Sequence, residues 1–310
     1  MSTPASLLSR FRGCLLGLAC GDAVGTTVEF RSRGSFASVR DMVGGGPFEL
    51  QPGQWTDDTS MALCLGQSLL DRNGFDAVDQ MNRYVNWWQW GYLSSTGECF
   101  DIGSTTRRAL ETFLEDGDPF AGSTRPDSAG NGSLMRLAPI PLFFFDAEDL
   151  APTVHFSGES SRTTHAALEA VECCRLFGRV ISAALNGADR DELLSGGEDL
   201  VTSPRVREIA RGAFVGKARE AIRGSGYCVE SLEAALWCVS TTSSFRDAVL
   251  EAVNLGDDAD TTAAIAGQLA GALYGASSIP DAWLERLALR ELIDKMAQQL
   301  YDRATQRPRR

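Results

Sequence analysis

Three glycines at four-residue spacing, Gly13, Gly17 and Gly21, lie in one apolar stretch near the start of the chain. Around them Leu7, Leu8, Phe11, Cys14, Leu15, Leu18 and Ala19 recur at spacings of three and four, which predicts a helix. Residues four apart share a helix face, so the glycines make a bare row that another helix can approach to backbone contact. The opening helix is therefore expected at the centre of the fold, ending at Gly21 and Asp22.

Helical periodicity continues from Asp58 to Leu70, Phe75 to Trp90, Ile102 to Leu114 and Ser161 to Leu185. It resumes from Arg205 to Arg223, Ser231 to Val239, Phe245 to Val253, Thr261 to Tyr274 and Asp281 to Tyr301. No alternating run of β-branched residues competes with these patterns, so an all-α fold is expected. The segment 31–53 is rich in Gly, Ser and Pro and has neither period; a loop of that length in a compact domain is functional or mobile, and a lid is one reading. At 310 residues the chain exceeds the usual ~100–200 per domain. No linker interrupts it, however, and a single multi-helix domain over residues 1–310 is the simpler expectation.

Composition removes several functions. With 29 Lys and Arg against 41 Asp and Glu the net charge is -12, so attraction to a phosphate backbone is no general basis for binding and no nucleic acid partner is expected. The two histidines, His155 and His165, exclude a multi-histidine metal centre. Eight cysteines without Cys-x-x-Cys spacing read as ordinary thiols of a reducing compartment, and a cytoplasmic protein is expected. No stretch approaches the ~20 apolar residues that span a bilayer, so no membrane association is expected. Arg10 and Arg12 before an apolar run imitate a secretion signal, but Gly17 breaks the run.

Two acidic clusters stand at predicted helix starts. Trp55-Thr-Asp-Asp-Thr-Ser60 precedes one apolar helix, and Gly256-Asp-Asp-Ala-Asp-Thr-Thr262 precedes another. Capping is one reading, since Asp and Thr accept hydrogen bonds from free helix amides. Yet a cap needs one such side chain, and carboxylates in succession repel each other unless a cation lies between them. Thr56, Asp57, Asp58, Asp258, Asp260 and Thr261 offer the oxygen ligands that Mg²⁺, Mn²⁺ or Ca²⁺ take. The spacing does not fit an EF-hand loop. Composition leaves capping and metal binding both open.

The other constellations are weaker alone. Gly130-Asn-Gly-Ser133 reads as a turn, although its glycines would also let backbone approach a ligand. Asp101, two residues before Gly103, reads as an N-cap. Glu29 reads as a surface glutamate. His165 sits near the start of an apolar helix, where it would reach a ligand or satisfy a backbone carbonyl.

Taken in order, these segments resemble the ADP-ribosylglycohydrolase family. The resemblance runs from Gly13-Cys-Leu-Leu-Gly-Leu-Ala-Cys-Gly-Asp-Ala-Val-Gly25 through Trp55-Thr-Asp-Asp-Thr59, Phe100-Asp-Ile-Gly103, Gly130-Asn-Gly132, Met135-Arg136 and Thr164-His165. It continues through Ser225-Gly-Tyr227 and Leu232-Glu-Ala-Ala-Leu236 to Ala252-Val-Asn-Leu-Gly-Asp-Asp-Ala-Asp-Thr261. The pieces are specific in combination.

The resemblance implies an all-α domain with two divalent cations, Mg²⁺ or Mn²⁺, at the floor of a cleft. Carried over by position, Thr56, Asp57 and Asp58 would hold metal from one helix start, and Asp258, Asp260 and Thr261 from the other. Glu29 would act as gate or base, with Asp58 and Asp258 among the catalytic acids. Gly130, Asn131, Gly132 and Ser133 would cradle the pyrophosphate, Asp101, Gly103 and His165 would line the ribose or phosphate side, and Tyr227 would stack on adenine. The implied reaction is hydrolysis of the bond between ADP-ribose and a side chain of an ADP-ribosylated protein, arginine in preference to serine, with ADP-ribose as product. A silent ADP-ribose-binding relative and a two-metal phosphoesterase are the rival readings. Asp257 is a departure: an acid stands where a neutral residue is expected, which would shift the metal preference.

Overall fold

The computed structural model describes residues 5–193 and 195–306. Helix α1 (Leu7–Gly25) is followed by the irregular segment 31–53, then α2 (Asp57–Arg72), α3 (Ala77–Trp90) and α4 (Ser104–Asp116). The middle of the chain forms α5 (Pro139–Phe143), α6 (Ala151–Arg162), α7 (Leu168–Leu185), α8 (Arg190–Leu193) and α9 (Pro204–Ala210). The last part forms α10 (Cys228–Thr241), α11 (Phe245–Val253), α12 (Ala259–Tyr274), α13 (Asp281–Arg286) and α14 (Arg290–Gln306). Isolated bridges such as Gly130 with Tyr227 occur, but no strand among the described residues. The all-α expectation therefore holds. Among the described residues no helix is long and apolar enough to cross a membrane.

The glycine row explains the centre. α1 and α12 pack antiparallel, and a Cβ on Gly17 would meet the Gly267 carbonyl oxygen at 2.3 Å, one on Gly21 that of Ala263 at 2.1 Å. Gly25 extends the row, with Asp260 Cα at 2.4 Å from its added Cβ. Backbone contact at four successive glycines leaves no slack between the helices, so the start of α12 is seated against the end of α1. α10 and α11 pack on α12, α14 on α1, and α7 closes the core against α10 and α12.

Several boundaries differ from expectation, each for a tertiary reason. α1 does not end at Asp22 but runs to Gly25, because Asp22 is buried and satisfied by another helix. The stretch 161–185 is not one helix: Ser161 Oγ donates to the His165 carbonyl oxygen and Gly122 N–H takes that of Arg162, so the backbone breaks before α7. The pattern from 205 to 223 is α-helical only to Ala210, since Gly212 and Gly216 take left-handed backbone angles, and a single 3-10 turn follows at Arg219–Ala221. The stretch 281–301 splits in two at Leu289, left-handed at φ 53°, where Ala288 N–H donates to the Gly53 carbonyl oxygen. α5 and α6 have no counterpart among the expected helices; their prolines stand in first turns, where a missing N–H costs nothing.

The segment 31–53 has no helix or strand, but it is tied down. Asp41 accepts from Trp283 Nε1 at 2.6 Å and pairs with Arg286, and Phe48 packs its ring against Phe30 and Phe100.

Candidate active site

Two helix starts, those of α2 and α12, meet beside the end of α1. Asp22 projects from α1 and accepts four hydrogen bonds from the first turn of α2 and its cap. Its Oδ1 takes the N–H and hydroxyl of Thr56, both at 2.9 Å, and its Oδ2 takes those of Thr59 at 3.0 and 2.6 Å. Glu29, just beyond α1, does the corresponding service for α12, its Oε2 accepting from the N–H groups of Ala259 at 3.0 Å and Asp260 at 3.2 Å. Neither Thr56 nor Asp258, the cap residues of these two helices, makes a side-chain cap bond.

This division of labour decides what the sequence left open. Amides at both helix starts are served by acids from α1 and its extension, which leaves Asp57, Asp58 and Asp258 without a capping role, while Asp260 takes the Thr261 N–H with Oδ1 at 2.7 Å and keeps Oδ2 beside Thr56 Oγ1. They converge nonetheless. Glu29, Asp258 and Asp260 each present a carboxylate oxygen, all within 4.8 Å of one another. Thr261 Oγ1 lies 3.2 Å from Asp58 Oδ1, and Thr56 Oγ1 lies 3.4 Å from Asp260 Oδ2. The Asp58 Oδ2 atom is buried with no hydrogen-bond partner.

So many buried carboxylates resist ionisation. Burial above all, then repulsion from Asp101 and Asp260, raises Asp57; burial, then Asp22 and Asp260, raises Asp58. Burial and then Asp260 and Asp258 raise Glu29 strongly. Asp101 is pushed up to about 9 by burial and Asp260, and Asp260 to about 7 by burial despite a hydrogen bond from Glu29. Burial also raises Asp258, against hydrogen bonds from Asn131 and Thr261. An oxygen-rich set with an orphaned buried carboxylate oxygen suits a hard divalent cation, which removes both the repulsion and the unpaired atom.

The cluster forms the floor of a pocket of about 330 Å³. Asp57, Asp101, Asp258, Asp260 and Thr261 line it together with Glu29, which is not a surface residue but only 4% exposed. Thr56 and Asp58 lie beneath this floor, buried. Asp101 does not cap α4, whose cap is Gly103; its left-handed backbone, φ 59°, marks a turn at the pocket edge. Asp257 is exposed and outside the lining, so it acts on the site only through its charge on Asp258.

The opposite wall comes from the turn at 130–132, Gly103, Gly226 and His165. Asn131 lines the pocket and also orients an acid, its Nδ2 donating to Asp258 Oδ2 at 2.8 Å and Ser231 Oγ at 2.9 Å. Gly132 makes room for the His165 ring, because a Cβ there would stand 2.8 Å from its Cε1. Ser133 is not in the lining: its hydroxyl is buried against Ser161 Oγ at 2.8 Å and Cys174. Tyr227 is also outside it, with its hydroxyl bonded to Glu169 and the Arg205 guanidinium over its ring. An adenine would find one face of that ring already covered. A larger hollow of about 610 Å³ shares Ser104 and Thr105 with the pocket and carries Arg108 and Arg125; it lacks the acid cluster and adjoins the site rather than forming it.

Sequence reasoning missed Asp22, taken only as a helix end. The signal was there: a lone acid one residue past a glycine row, in the apolar second half of its helix, has to be buried and therefore bonded.

This architecture recurs in known proteins. A solved structure titled ADP-ribosylglycohydrolase-related protein complex superposes with a TM-score of 0.86 at 42% identity, covering 96% of this chain and 99% of the other. An ADP-ribosylarginine hydrolase Tri1 from Pseudomonas putida is 49% identical over 98% of this chain and 81% of its own length. The one from Serratia proteamaculans is 46% identical over 95% and 79%. The ADP-ribosyl-[dinitrogen reductase] glycohydrolase of Rhodospirillum rubrum is 34% identical over 93% of each chain. Residues 3–310 match the profile described as ADP-ribosylglycohydrolase, and the chain belongs to that family.

Proposed function

We propose that this protein hydrolyses the bond between ADP-ribose and the side chain of a modified protein, arginine in first place, releasing ADP-ribose. The observation that carries the reading is the convergence of Asp57, Asp258 and Asp260 at the floor of a pocket, with Asp58 buried beneath it, while amides of the two helix starts are served by Asp22 and Glu29. Two of the relatives are named for the arginine linkage, which supports that choice of acceptor.

Thr56, Asp57, Asp58, Asp258, Asp260 and Thr261 would hold two divalent cations, Mg²⁺ or Mn²⁺. When bound, the ions supply positive charge that fixes ribose hydroxyls and offsets the crowded carboxylates. The rest falls to the chain itself. The distal ribose sits over the acid floor, where carboxylates stabilise the positive charge developing at its anomeric carbon. Glu29, its carboxyl raised by burial and its acidic neighbours, gives its proton to the departing side-chain nitrogen as the bond to the anomeric carbon breaks, and water adds to that carbon and passes its proton to Asp258, which Asn131 orients. Asp58 supports the floor from beneath. Gly130, Gly132, Asp101, Gly103 and His165 form the wall that the ribose and phosphates face.

The test is a release assay on arginine- and serine-ADP-ribosylated proteins with Mg²⁺, with Mn²⁺ and with chelator, the product identified by mass spectrometry. Metal-dependent release of free ADP-ribose from the arginine conjugate is expected. Release from serine alone would move the specificity, AMP or phosphate as product would mean a phosphoesterase, and binding without turnover would mean a silent relative.

A further inference from the structure

Arg136 is fully buried, and it belongs to none of the ion pairs among the described residues. Its partners are neutral: Thr164 Oγ1 at 2.7 Å, the Ser160 carbonyl oxygen and Thr163 Oγ1 at 3.5 Å, and the face of Tyr84 at 4.5 Å. A buried guanidinium without a carboxylate is unusual and calls for a counter-charge.

The contact with Thr164 has a directional consequence. A guanidinium only donates, so Thr164 Oγ1 accepts from Arg136 and keeps one hydrogen to give. Its recorded neighbour for that hydrogen is His165 Nδ1, at 2.9 Å. Were Nδ1 itself protonated, the fully buried Thr164 hydroxyl hydrogen would have no acceptor, an arrangement folded proteins avoid. Nδ1 is therefore the acceptor and Nε2 carries the proton. Nε2 has no hydrogen-bond partner among the described residues and lies against the glycine turn, 3.3 Å from a Cβ built on Gly130 and 3.1 Å from one on Gly132. The ring lines the pocket.

We propose that Arg136 and Thr164 are positioning residues that lock His165 as an Nε2–H donor facing the pocket, where it binds an anionic oxygen of the ligand, the diphosphate of an ADP-ribosyl group. The identity of that anion rests on the function proposed above; the tautomer does not. The arrangement answers a problem set by the acid floor, which repels a diphosphate. A fixed neutral donor backed by an unpaired buried cation gives one wall an attraction for that anion. Burial, and then the Arg136 charge, also hold His165 far below the ordinary imidazole range, at about 3, so the donor does not change with pH near neutrality.

The test uses nitrogen-15 NMR of the imidazole rings, simplified because the chain has two histidines and a His165→Gln variant assigns the signal. In the wild-type protein Nε2 protonated and Nδ1 unprotonated is expected throughout about pH 5 to 8. Thr164→Ser keeps the hydroxyl and should keep that spectrum. Thr164→Val should lose the single tautomer, bind ADP-ribose about tenfold more weakly by calorimetry, and raise KM with little change in kcat. A wild-type ring protonated on Nδ1 would overturn the proposal without recourse to any variant, and so would a folded Thr164→Val protein with unchanged tautomer and affinity. If the wild type shows the Nε2–H tautomer yet binds no ADP-ribose, the anion assignment falls together with the proposed function, while the lock on His165 stands.

Discussion

A Cβ added to Gly13 would stand 2.2 Å from the carbonyl oxygen of Gly271, and one added to Gly271 would stand 1.9 Å from that of Gly13. Both obstacles are backbone, so no side-chain rotation relieves them. Gly13→Ala and Gly271→Ala should each destabilise the protein by about 3 kcal/mol, measured by urea unfolding. Gly74→Ala, with open space around it, should change stability by less than about 0.5 kcal/mol. A pair of core variants as stable as that control would refute the central glycine contact.

Asp22 should prove structural for α2 and indirect for metal. Replacing it with Asn puts an amide donor against either Thr56 or Thr59, whose N–H and hydroxyl groups it now satisfies. The expected loss is about 2 kcal/mol of stability together with weaker Mn²⁺ binding, read by unfolding and by titration calorimetry. Wild-type values in both measurements would mean that α2 is positioned without this acid.

The acid cluster should make the protein depend on cations for stability. Its members have folded-state pKa values above their unfolded values near 4, with Asp260 at about 7 and Asp101 at about 9. Groups raised in this way contribute stability below the unfolded value and lose it as pH rises through the folded one. In chelator, the unfolding temperature should therefore fall between about pH 4 and 9, and Mg²⁺ or Mn²⁺ should restore it.

Asp58→Asn removes one of the repelling charges. In chelator at neutral pH this variant should unfold about 3 °C higher than the wild type, whereas its gain on adding Mn²⁺ should shrink and its activity disappear. A variant that is destabilised in chelator and keeps its full metal gain would show that Asp58 is a structural acid.

His165 gives an opposite pH signature. Its folded value near 3 lies below the unfolded imidazole value of about 6.5, so the unfolded chain binds a proton that the folded one does not. Stability should rise with pH across that window. The stability difference between wild type and His165→Gln should shrink by about 2 kcal/mol on going from about pH 6.5 to 4.5, measured by urea unfolding. A constant difference would mean that the ring is protonated in the fold.

Much of this was legible locally. The period of apolar residues marks α2, α3, α11 and α12 within a few residues, and the paired acids at 57, 58, 258 and 260 stand at helix starts as their sequence context implies. Errors fall where a distant partner overrides the local pattern. Gly53 and Trp55 bind the backbone at Ala288 and help divide the last helical stretch, and Gly122 interrupts the one before α7. Glu29 looked like a surface residue because nothing near it in sequence accounts for its burial.

Periodicity and short spacing are enough to show that this chain is helical, that its first helix accepts backbone contact, and that six oxygen-bearing residues gather at two helix starts. Which acids serve helix amides and which remain for a cation emerges only in the folded chain. That choice rests on contacts between residues 34 apart, Asp22 with Thr56, and 230 apart, Glu29 with Ala259, and on the withdrawal of water around them, neither of which a local pattern encodes.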